Sequence, residues 1–336
     1  LRSLLGLLSL TAVLAGCSSS VDSQDELRAG LAYTNEEVGE REDGTGAFRT
    51  HCLESHESHD DPIVYPGQPG AAHHHVFFGN PMVDAYTTTA SLDEATETTC
   101  DGGTLNRSAY WVPAMYDQNG ERMEMVEPLF YYKTGYHVPA ATIQPLPEGL
   151  QMIAGNSMSQ EAQGTTAVKF RCAIWESDQE WFDPGDPLDH VDTLPDCEVD
   201  DILEMRIVFP QCWDGANLDS PDHMSHMAYP SEATPPIAGT GSCPDSHPIA
   251  IPEISYNFAV YVSQDRGRPG SWRFSSDHSH EGSGTVMGGM TFHADWMNGW
   301  DPEIMETIVE NCLRPAKECM VGLLGDGTRL ESVLGE

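Results

Sequence analysis

The sequence predicts a mainly β fold: a single disulfide-stapled domain of the β-sandwich or jelly-roll type, with long loops and one C-terminal helix. Three observations support this prediction. The 31 glycines and 23 prolines are scattered evenly and separate short β-prone runs, a spacing typical of sandwiches and barrels rather than of alternating β and α units. The cysteines other than Cys17 are even in number and could all pair in disulfides. One segment alone has a convincing helical pattern.

The N-terminal segment, residues 1–16, has the pattern of a lipoprotein signal peptide. Arg2 supplies a positive charge, and residues 4–14 form an apolar stretch that is too short to span a bilayer. Small residues precede Cys17, as lipoprotein signal peptidase requires. An ordinary secretory peptide or a buried helix is the alternative. We therefore expect lipid on Cys17 and attachment to a membrane, on the extracytoplasmic side of the cell envelope.

The rest of the chain divides into three predicted parts. Residues 17–46 are acidic and polar, with Tyr33 as their one aromatic residue, and this composition predicts a flexible linker. The β-rich domain is predicted over residues 47–320, and a C-terminal tail over 321–336. The β-prone runs of the domain are residues 63–65, 75–78, 109–112, 129–133, 152–154, 167–174, 202–209, 254–262 and 271–274.

The predicted helix lies within residues 300–312. Asp301 can act as its N-cap, Pro302 suits the first helical position, and Glu303 favours the positive end of the helix. The face that would be buried consists of Ile304, Ile308, Val309 and Cys312. A disulfide from Cys312 would anchor the helix to the domain.

Eight cysteines remain once Cys17 is assigned to the lipid, and an even number in an exported chain predicts four disulfides. Many pairings are possible, and the simplest joins neighbours along the chain. Those pairs are Cys52–Cys100, Cys172–Cys197, Cys212–Cys243 and Cys312–Cys319. A cysteine metal site is disfavoured because no Cys-x-x-Cys motif occurs.

The net charge of −37 is extreme, and only three lysines occur: Lys133, Lys169 and Lys317. Such a surface repels phosphates, so we expect no nucleic-acid partner. Two interpretations remain open. The favoured one is a halophilic protein whose acidic surface stays hydrated in strong salt, and the other is that the negative field attracts cations.

Histidines are the most informative candidate site residues, because several of the 14 lie in turn-rich segments. If residues 73–75 are extended, His73 and His75 point to one side and His74 points away. His293 and Asp295 are also two apart and would share a strand face. A same-face pair of imidazoles is a common way to bind a metal or a substrate.

A second group of polar residues lies in a turn-rich loop around residues 211–230. His223 and His226 could converge there, with Asp214, Asn217 and Asp219 as oxygen donors. For each of these residues the alternative is a bracing or turn-capping role. Further candidates are His247, His278 and His280, and the aromatic residues that could line a sugar cleft or pack in the core are Trp111, Tyr131, Tyr132 and Trp213. No GxSxG, HExxH, P-loop or GxGxxG motif occurs.

Six ordered motifs carry a resemblance to a known family. They are DPIVYPG (61–67) with His73–His75, SAYWVP (108–113), FPQCWDG (209–215), DHMSHMAYP (222–230), CPDSHP (243–248) and HADWMNGW (293–300). Together they resemble the DUF1996 family of secreted fungal and actinobacterial domains of unknown function, over about residues 48–312. His73 and His75 correspond to the His-x-His pair of that family. The resemblance implies an extracytoplasmic setting, and the frequent fungal WSC neighbours imply polysaccharide surroundings.

The leading functional hypothesis is a surface protein that binds or acts on carbohydrate through a histidine-lined site, with a divalent metal as candidate cofactor. The predicted acid–base residues are His75, His223, His226, His293 and Asp295. The predicted metal ligands are His73, His75, His223, His247 and His293. The predicted contacts to a polysaccharide are Trp213, Asp214, Asn217 and Tyr229. The alternatives are a non-catalytic metal-binding lipoprotein and a purely structural envelope domain.

Overall fold

The fold is mainly β, as predicted, and is built from short strands. The computed structural model describes residues 27–174, 190–231, 238–277 and 288–335. The strands in this part of the chain are β1 (Leu31–Tyr33), β2 (Gly39–Glu40), β3 (Ala47–His51), β4 (Glu54–Ser58), β5 (His75–Gly79), β6 (Ala109–Pro113), β7 (Met115–Tyr116), β8 (Val126–Lys133), β9 (Gln151–Gly155), β10 (Val168–Ile174), β11 (Asp201–Val208), β12 (Cys212–Trp213), β13 (Met227–Ala228), β14 (Ile249–Ala250), β15 (Glu253–Tyr261), β16 (Arg273–Phe274), β17 (His293–Met297), β18 (Lys317–Val321) and β19 (Thr328–Leu330). The helices are α1 (Thr89–Leu92) and α2 (Pro302–Ile308).

Two sheets form the two layers of a sandwich. The larger has seven strands in the order β10-β11-β15-β8-β3-β18-β2, and the smaller has five in the order β4-β5-β6-β17-β9. Neighbours in both are antiparallel, except that β18 runs parallel to β3. Three small sheets, β1-β19, β13-β12-β14 and β16-β7, lie outside the two layers.

Aromatic side chains fill the space between the two sheets. Because side chains alternate along a strand, one face of β6 and one face of β8 meet in this core. The rings of Tyr110 and Phe130 are 4.3 Å apart, and the hydroxyls of Tyr110 and Tyr132 are 2.8 Å apart. The hydroxyl of Tyr256 donates to the backbone carbonyl of Asp295 at 2.7 Å, which ties the large sheet to β17 of the small one.

A second, smaller core covers the outer face of the five-stranded sheet. It contains Ile63, Val83 and Leu92 from loops and α1, packed on residues of β5, β6 and β17: Phe77, Ala109, Trp111 and Met297. The loops that follow β4 and β5 therefore fold back over this sheet. Both faces of the small sheet are therefore covered by packed side chains, and the candidate site lies on the outer face.

The C-terminal helix follows the predicted pattern. The side chain of Asp301 accepts hydrogen bonds from the backbone N–H groups of Glu303 and Ile304, and Pro302 opens the helix. Val309–Leu313 continues it as one π-helical turn. The predicted pairing of neighbouring cysteines is confirmed, since the disulfides are Cys52–Cys100, Cys172–Cys197, Cys212–Cys243 and Cys312–Cys319.

The structure differs from the predicted domain boundaries at both ends. Part of the predicted linker forms β1 and β2, and the predicted tail contains β19, which pairs with β1 through Leu31 and Leu330. These strands are only two or three residues long. Their few apolar residues stand among many polar ones, so the sequence pattern does not predict them as strands. Residues 1–26, including the signal peptide and Cys17, lie outside the described residues.

Candidate metal centre

Three polar side chains meet on the outer face of the five-stranded sheet. His75 of β5 lies opposite Pro113 of β6, and Asp295 of β17 lies opposite Trp111 of β6. Because alternate residues of these strands belong to the main core, His75, His293 and Asp295 point outward, on the side of the small core. They stand at one end of that core, where its apolar side chains stop.

Five side chains form what we call the histidine–aspartate centre: Asp61, His73, His75, His293 and Asp295. In each of two sets, His73–His75–His293 and Asp61–His75–Asp295, one potential ligand atom per residue lies within 4.8 Å of the others. The ring centroid of His73 is 4.1 Å from that of His75 and 4.9 Å from that of His293. All but His73 are buried. His75 belongs to both sets, so an ion beside His75 could take its other ligands from either set.

Backbone carbonyls orient the two buried imidazoles. Nδ1 of His75 lies 3.1 Å from the carbonyl oxygen of Asp60, and Nδ1 of His293 lies 2.8 Å from that of Thr291. A carbonyl oxygen only accepts, so each Nδ1 carries the hydrogen and each Nε2 carries the lone pair. Nε2 of His75 is buried and makes no hydrogen bond within the described residues. Metal-ligating histidines are held in this way, with Nδ1–H on a carbonyl and Nε2 towards the ion.

The two carboxyl groups have different local roles. Oδ1 of Asp61 accepts hydrogen bonds from the backbone N–H groups of Ile63 at 2.9 Å and Val64 at 2.8 Å, which holds the turn after β4. Both oxygens of Asp295 are buried and make no hydrogen bond within the described residues. The nearest imidazole contact to Asp295 is Nε2 of His293, 3.7 Å from Oδ2. A buried carboxyl without hydrogen bonds costs stability and calls for a missing partner.

Burial controls the protonation of the centre. It lowers the pKa of His75 well below the usual range, and positive charge on His73 and His293 adds to the effect. Burial likewise lowers the pKa of His293 to about 4. It raises the pKa of Asp295 well above the usual range, and the nearby charge of Asp61 raises it further. Without a cation, these groups are therefore most stable in their neutral forms, and a divalent ion would reverse that preference for the carboxyl.

Comparison with known proteins identifies the domain. A family model described as a domain of unknown function (DUF1996) matches residues 61–300. The chain belongs to the DUF1996 family. The matched stretch begins at Asp61 and includes all five side chains of the histidine–aspartate centre. No curated protein and no solved structure matched the chain.

His74 of the DUF1996 domain points away from the centre, as the strand alternation predicts. Its Nδ1 lies 2.6 Å from the hydroxyl of Tyr116, and its Nε2 lies 2.9 Å from a carboxylate oxygen of Glu57. The ring stacks on that of His59 with centroids 4.9 Å apart. Both nitrogens of His74 are therefore occupied by side chains outside the histidine–aspartate centre.

The predicted site histidines of residues 219–247 are not among the five side chains of the histidine–aspartate centre. Burial raises the pKa of Asp61, and His223 is close enough for its charge to oppose part of that rise. Nδ1 of His223 lies 3.0 Å from a carboxylate oxygen of Asp219. His226 has Nδ1 2.9 Å from the hydroxyl of Ser220 and Nε2 2.7 Å from the carbonyl of Gln151. Both nitrogens of His226 are thus used within the protein.

His247 also has contacts on both nitrogens. Its Nδ1 lies 2.9 Å from the hydroxyl of Ser246, and its Nε2 lies 3.0 Å from the carbonyl of Ser225. In this arrangement neither His226 nor His247 presents a nitrogen to a metal ion. The physical reason is that both brace the loop that passes beside β9. His278 and His280 lie outside the described residues.

The predicted polysaccharide contacts make hydrogen bonds within the protein. Oδ1 of Asp214 accepts from the backbone N–H groups of Ala216 and Asn217, an Asx turn. The indole of Trp213 donates to the carbonyl of Asn217, and the hydroxyl of Tyr229 donates to the carbonyl of Val208. These bonds shape the loop, and binding of a polysaccharide there stays a prediction.

Asp61 is the member of the centre that the sequence-based site prediction misses. It stands before Pro62 in a turn-forming segment, where an aspartate is expected to cap the turn. The capping role is present, and the fold adds a second role by closing the turn over β5. The available signal was the start of the first family motif at this residue.

The four disulfides indicate an oxidising, extracytoplasmic location for the DUF1996 domain. Within the described residues, no helix combines the length and the apolar character needed to cross a bilayer.

Proposed function

We propose that this protein binds a divalent first-row transition metal ion at the histidine–aspartate centre, with zinc as the best match. The observation that carries the proposal is the meeting of buried ligand atoms that make no hydrogen bond to any described residue: Nε2 of His75 and both carboxyl oxygens of Asp295. Imidazole nitrogen and carboxylate oxygen are the ligands that zinc accepts in proteins.

The charge balance of the centre supports a divalent ion. Three neutral imidazoles and the two carboxylates of Asp61 and Asp295 would give a neutral complex with one divalent cation. Burying two carboxylates side by side without a cation is costly, because each disfavours ionisation of the other. A metal ion removes this cost, whereas a purely structural role leaves both oxygens of Asp295 without a hydrogen-bond partner in the described part of the chain.

The same geometry favours a ligand role over direct acid–base catalysis. A general base works best when its pKa lies near the working pH, and burial brings the pKa of His293 to about 4. His73 is the half-buried member of the centre. Water or a substrate would therefore reach an ion in the centre from the side of His73. An ion with an open coordination position on that side would lower the pKa of a bound water molecule. That water would then be the group that acts on a carbohydrate.

Metal retention tests the proposal directly. We would strip the purified protein with a chelator, dialyse it against zinc, copper or manganese, and measure bound metal per chain. The expected result is one equivalent of zinc in the wild type, lost in His75→Gln and Asp295→Asn. His247→Gln is the matched control, since it changes a histidine outside the centre. Stoichiometric retention in all variants, or no retention in the wild type at micromolar free metal, would rule the centre out.

We also propose that the protein is lipid-anchored through Cys17, on the strength of the signal-peptide pattern. Expression of the full chain in a bacterial host should give a protein that enters the detergent phase on phase partitioning. Cys17→Ser should stay in the aqueous phase while keeping the same metal content. Equal partitioning of the two proteins would exclude the anchor and leave the metal proposal unaffected.

A further inference from the structure

Trp111 lies beside the histidine–aspartate centre, on the outer face of the five-stranded sheet. It belongs to β6, the strand between the two that carry the buried histidines, and it stands directly opposite Asp295 of β17. Its side chain is fully buried and packs in the same small core as Ile63. Since Ile63 follows Asp61 by two residues, the indole ring is next to the turn that carries Asp61.

The indole nitrogen of Trp111 is a buried donor. Nε1 is shielded from solvent and makes no hydrogen bond within the described residues. An indole N–H can only donate, and a buried donor without an acceptor costs stability. The indole of Trp296 is in the same state, but its ring belongs to the main core between the two sheets. Of the two rings, Trp111 is therefore the one on the face that carries the carboxyl groups of the centre.

Asp61 is the carboxyl group that the indole faces. Burial raises the pKa of Asp61, and the groups that oppose this rise include the backbone N–H groups of Val64 and Ile63 and the indole of Trp111. A donor has this effect only when it is directed at the carboxyl group. The indole of Trp111 therefore lies close to Asp61 without completing a hydrogen bond to it. For Asp295, burial raises the pKa and the charge of Asp61 raises it further.

Hydrogen bonds use half of the acceptor positions of Asp61. An ionised carboxylate has about four lone-pair positions, and the backbone N–H groups of Ile63 and Val64 take two of them on Oδ1. A hydrogen bond from the indole would take a third and leave one for a metal ion. Asp61 would then bind the ion through a single oxygen in a fixed orientation. Asp295 differs, because neither of its oxygens makes a hydrogen bond within the described residues.

We propose that Trp111 is a positioning residue of the metal centre, whose indole N–H donates to Asp61 and holds that carboxylate as a single-oxygen ligand of the ion. This inference rests on the proposed metal site and adds a residue that does not itself touch the ion. Metal binding keeps Asp61 ionised, and a hydrogen bond to an ionised acceptor is shorter and stronger than one between neutral groups. Donors to a ligating group fix its orientation, and their loss typically lowers metal affinity about 10- to 100-fold.

The zinc affinity of Trp111→Phe tests the proposal, measured on the full chain by competition with a chromogenic chelator. Phenylalanine keeps an aromatic ring in the small core and removes the N–H group. We expect the affinity to fall about tenfold or more, the equivalent of at least about 1.4 kcal/mol. Trp296→Phe is the matched control, because Trp296 is equally buried and its Nε1 likewise makes no hydrogen bond within the described residues. The control should keep the affinity of the wild type.

A double-mutant cycle with Asp61→Asn shows whether Trp111 acts through Asp61. Asparagine keeps an oxygen for the backbone N–H groups of Ile63 and Val64 and turns an amide NH2 towards the indole, which cannot accept its hydrogen. In the Asp61→Asn background, Trp111→Phe should therefore cause no further loss of zinc affinity. A packing role for the ring would instead give the same loss in both backgrounds.

Nuclear magnetic resonance of the wild type gives a test that does not depend on the folding of a variant. The chain has seven tryptophans, and nitrogen-15 labelling shows each indole N–H separately. Zinc should move the indole proton of Trp111 downfield, as a new hydrogen bond does, and should leave that of Trp296 nearly in place.

The outcomes distinguish this inference from the proposed function. An unchanged zinc affinity in Trp111→Phe, an equal loss in Trp296→Phe, equal losses in both backgrounds of the cycle, or an unmoved indole resonance of Trp111 in the zinc-loaded wild type would overturn the role of Trp111. Each of these results would leave metal retention at the histidine–aspartate centre intact. Absence of zinc from the wild type would instead overturn the proposed function, and the role of Trp111 with it.

Discussion

His293 and Asp295 project from the same face of β17, with Nε2 of the imidazole 3.7 Å from Oδ2 of the carboxyl. This is too far for a hydrogen bond. It is close to the spacing of about 3.3 Å between two ligands around a tetrahedral zinc ion with bonds of about 2.0–2.1 Å. The strand period of two places both side chains on one face, with backbone positions about 6.6 Å apart, and the side chains converge from there to 3.7 Å. One ion between the two groups would satisfy both.

Zinc should raise the melting temperature of the metal-free protein. A ligand that binds only the folded state at about 100 times its dissociation constant adds about 2.7 kcal/mol. For a domain of this size we expect a rise of about 5–10 °C. Differential scanning calorimetry with and without zinc measures this, with Asp295→Asn as the variant expected to show no rise. A rise of equal size in that variant would mean that zinc binds elsewhere.

The two aspartates of the centre should differ in their effect on the metal-free fold. Asp295→Asn removes a carboxyl that makes no hydrogen bond within the described residues, so we expect little change in the free energy of unfolding. Asp61→Ala removes the acceptor for the N–H groups of Ile63 and Val64 and should cost about 1 kcal/mol or more. Urea denaturation in the presence of a chelator compares the two. A large loss in Asp295→Asn alone would show that its role is structural.

The sequence was sufficient for the fold class because its local signals agree with the final packing. The Asp301-Pro302 start of α2 acts locally, and the pairing of neighbouring cysteines needed no knowledge of the sheet order. The terminal strands could not be predicted in the same way. β1 and β19 are each three residues long, and they form only because Leu31 and Leu330 meet across nearly the full length of the chain.

The site was predictable only where strand alternation applies. The spacing of His73 and His75, and of His293 and Asp295, placed each pair on one face. That β6 would bring β5 and β17 together is a property of sheet order, which no local pattern encodes. His226 shows the opposite limit, because its partners are Ser220 and the carbonyl of Gln151, and a bracing histidine looks the same in the sequence as a ligand.

The stability of the wild type should rise between pH 8 and pH 10.5, in part because of Lys133. Burial lowers its pKa to about 8 in the folded state, from the ordinary value of 10.5. In this window the unfolded chain still binds the proton and the folded protein has released it, so raising the pH favours folding. Below pH 8 Lys133 is protonated in both the folded and the unfolded state, so it no longer makes the stability depend on pH. The gain should be on the order of 2 kcal/mol.

Lys133→Met is the variant that isolates this contribution. Its side chain does not titrate, so the rise of stability across the window should be smaller than in the wild type by that amount. Lys317→Met is the control, because Lys317 lies at the edge of the sheet and pairs with Glu40. Guanidinium chloride denaturation at pH 8, 9 and 10 gives the three curves. Parallel curves for wild type and Lys133→Met would show that Lys133 does not contribute.

The disulfides should contribute to stability in the order of the loops they close. Cys52–Cys100 spans 48 residues and Cys312–Cys319 spans seven, and the chain-entropy relation gives about 4 and about 2 kcal/mol respectively. The four cysteines are all buried, so replacing either pair by alanine removes a similar apolar contact and the two double variants control for each other. Guanidinium chloride denaturation of Cys52→Ala/Cys100→Ala and Cys312→Ala/Cys319→Ala should therefore give a larger loss for the first. An equal or reversed order would mean that packing around α2, rather than the unfolded chain, sets the contribution of Cys312–Cys319.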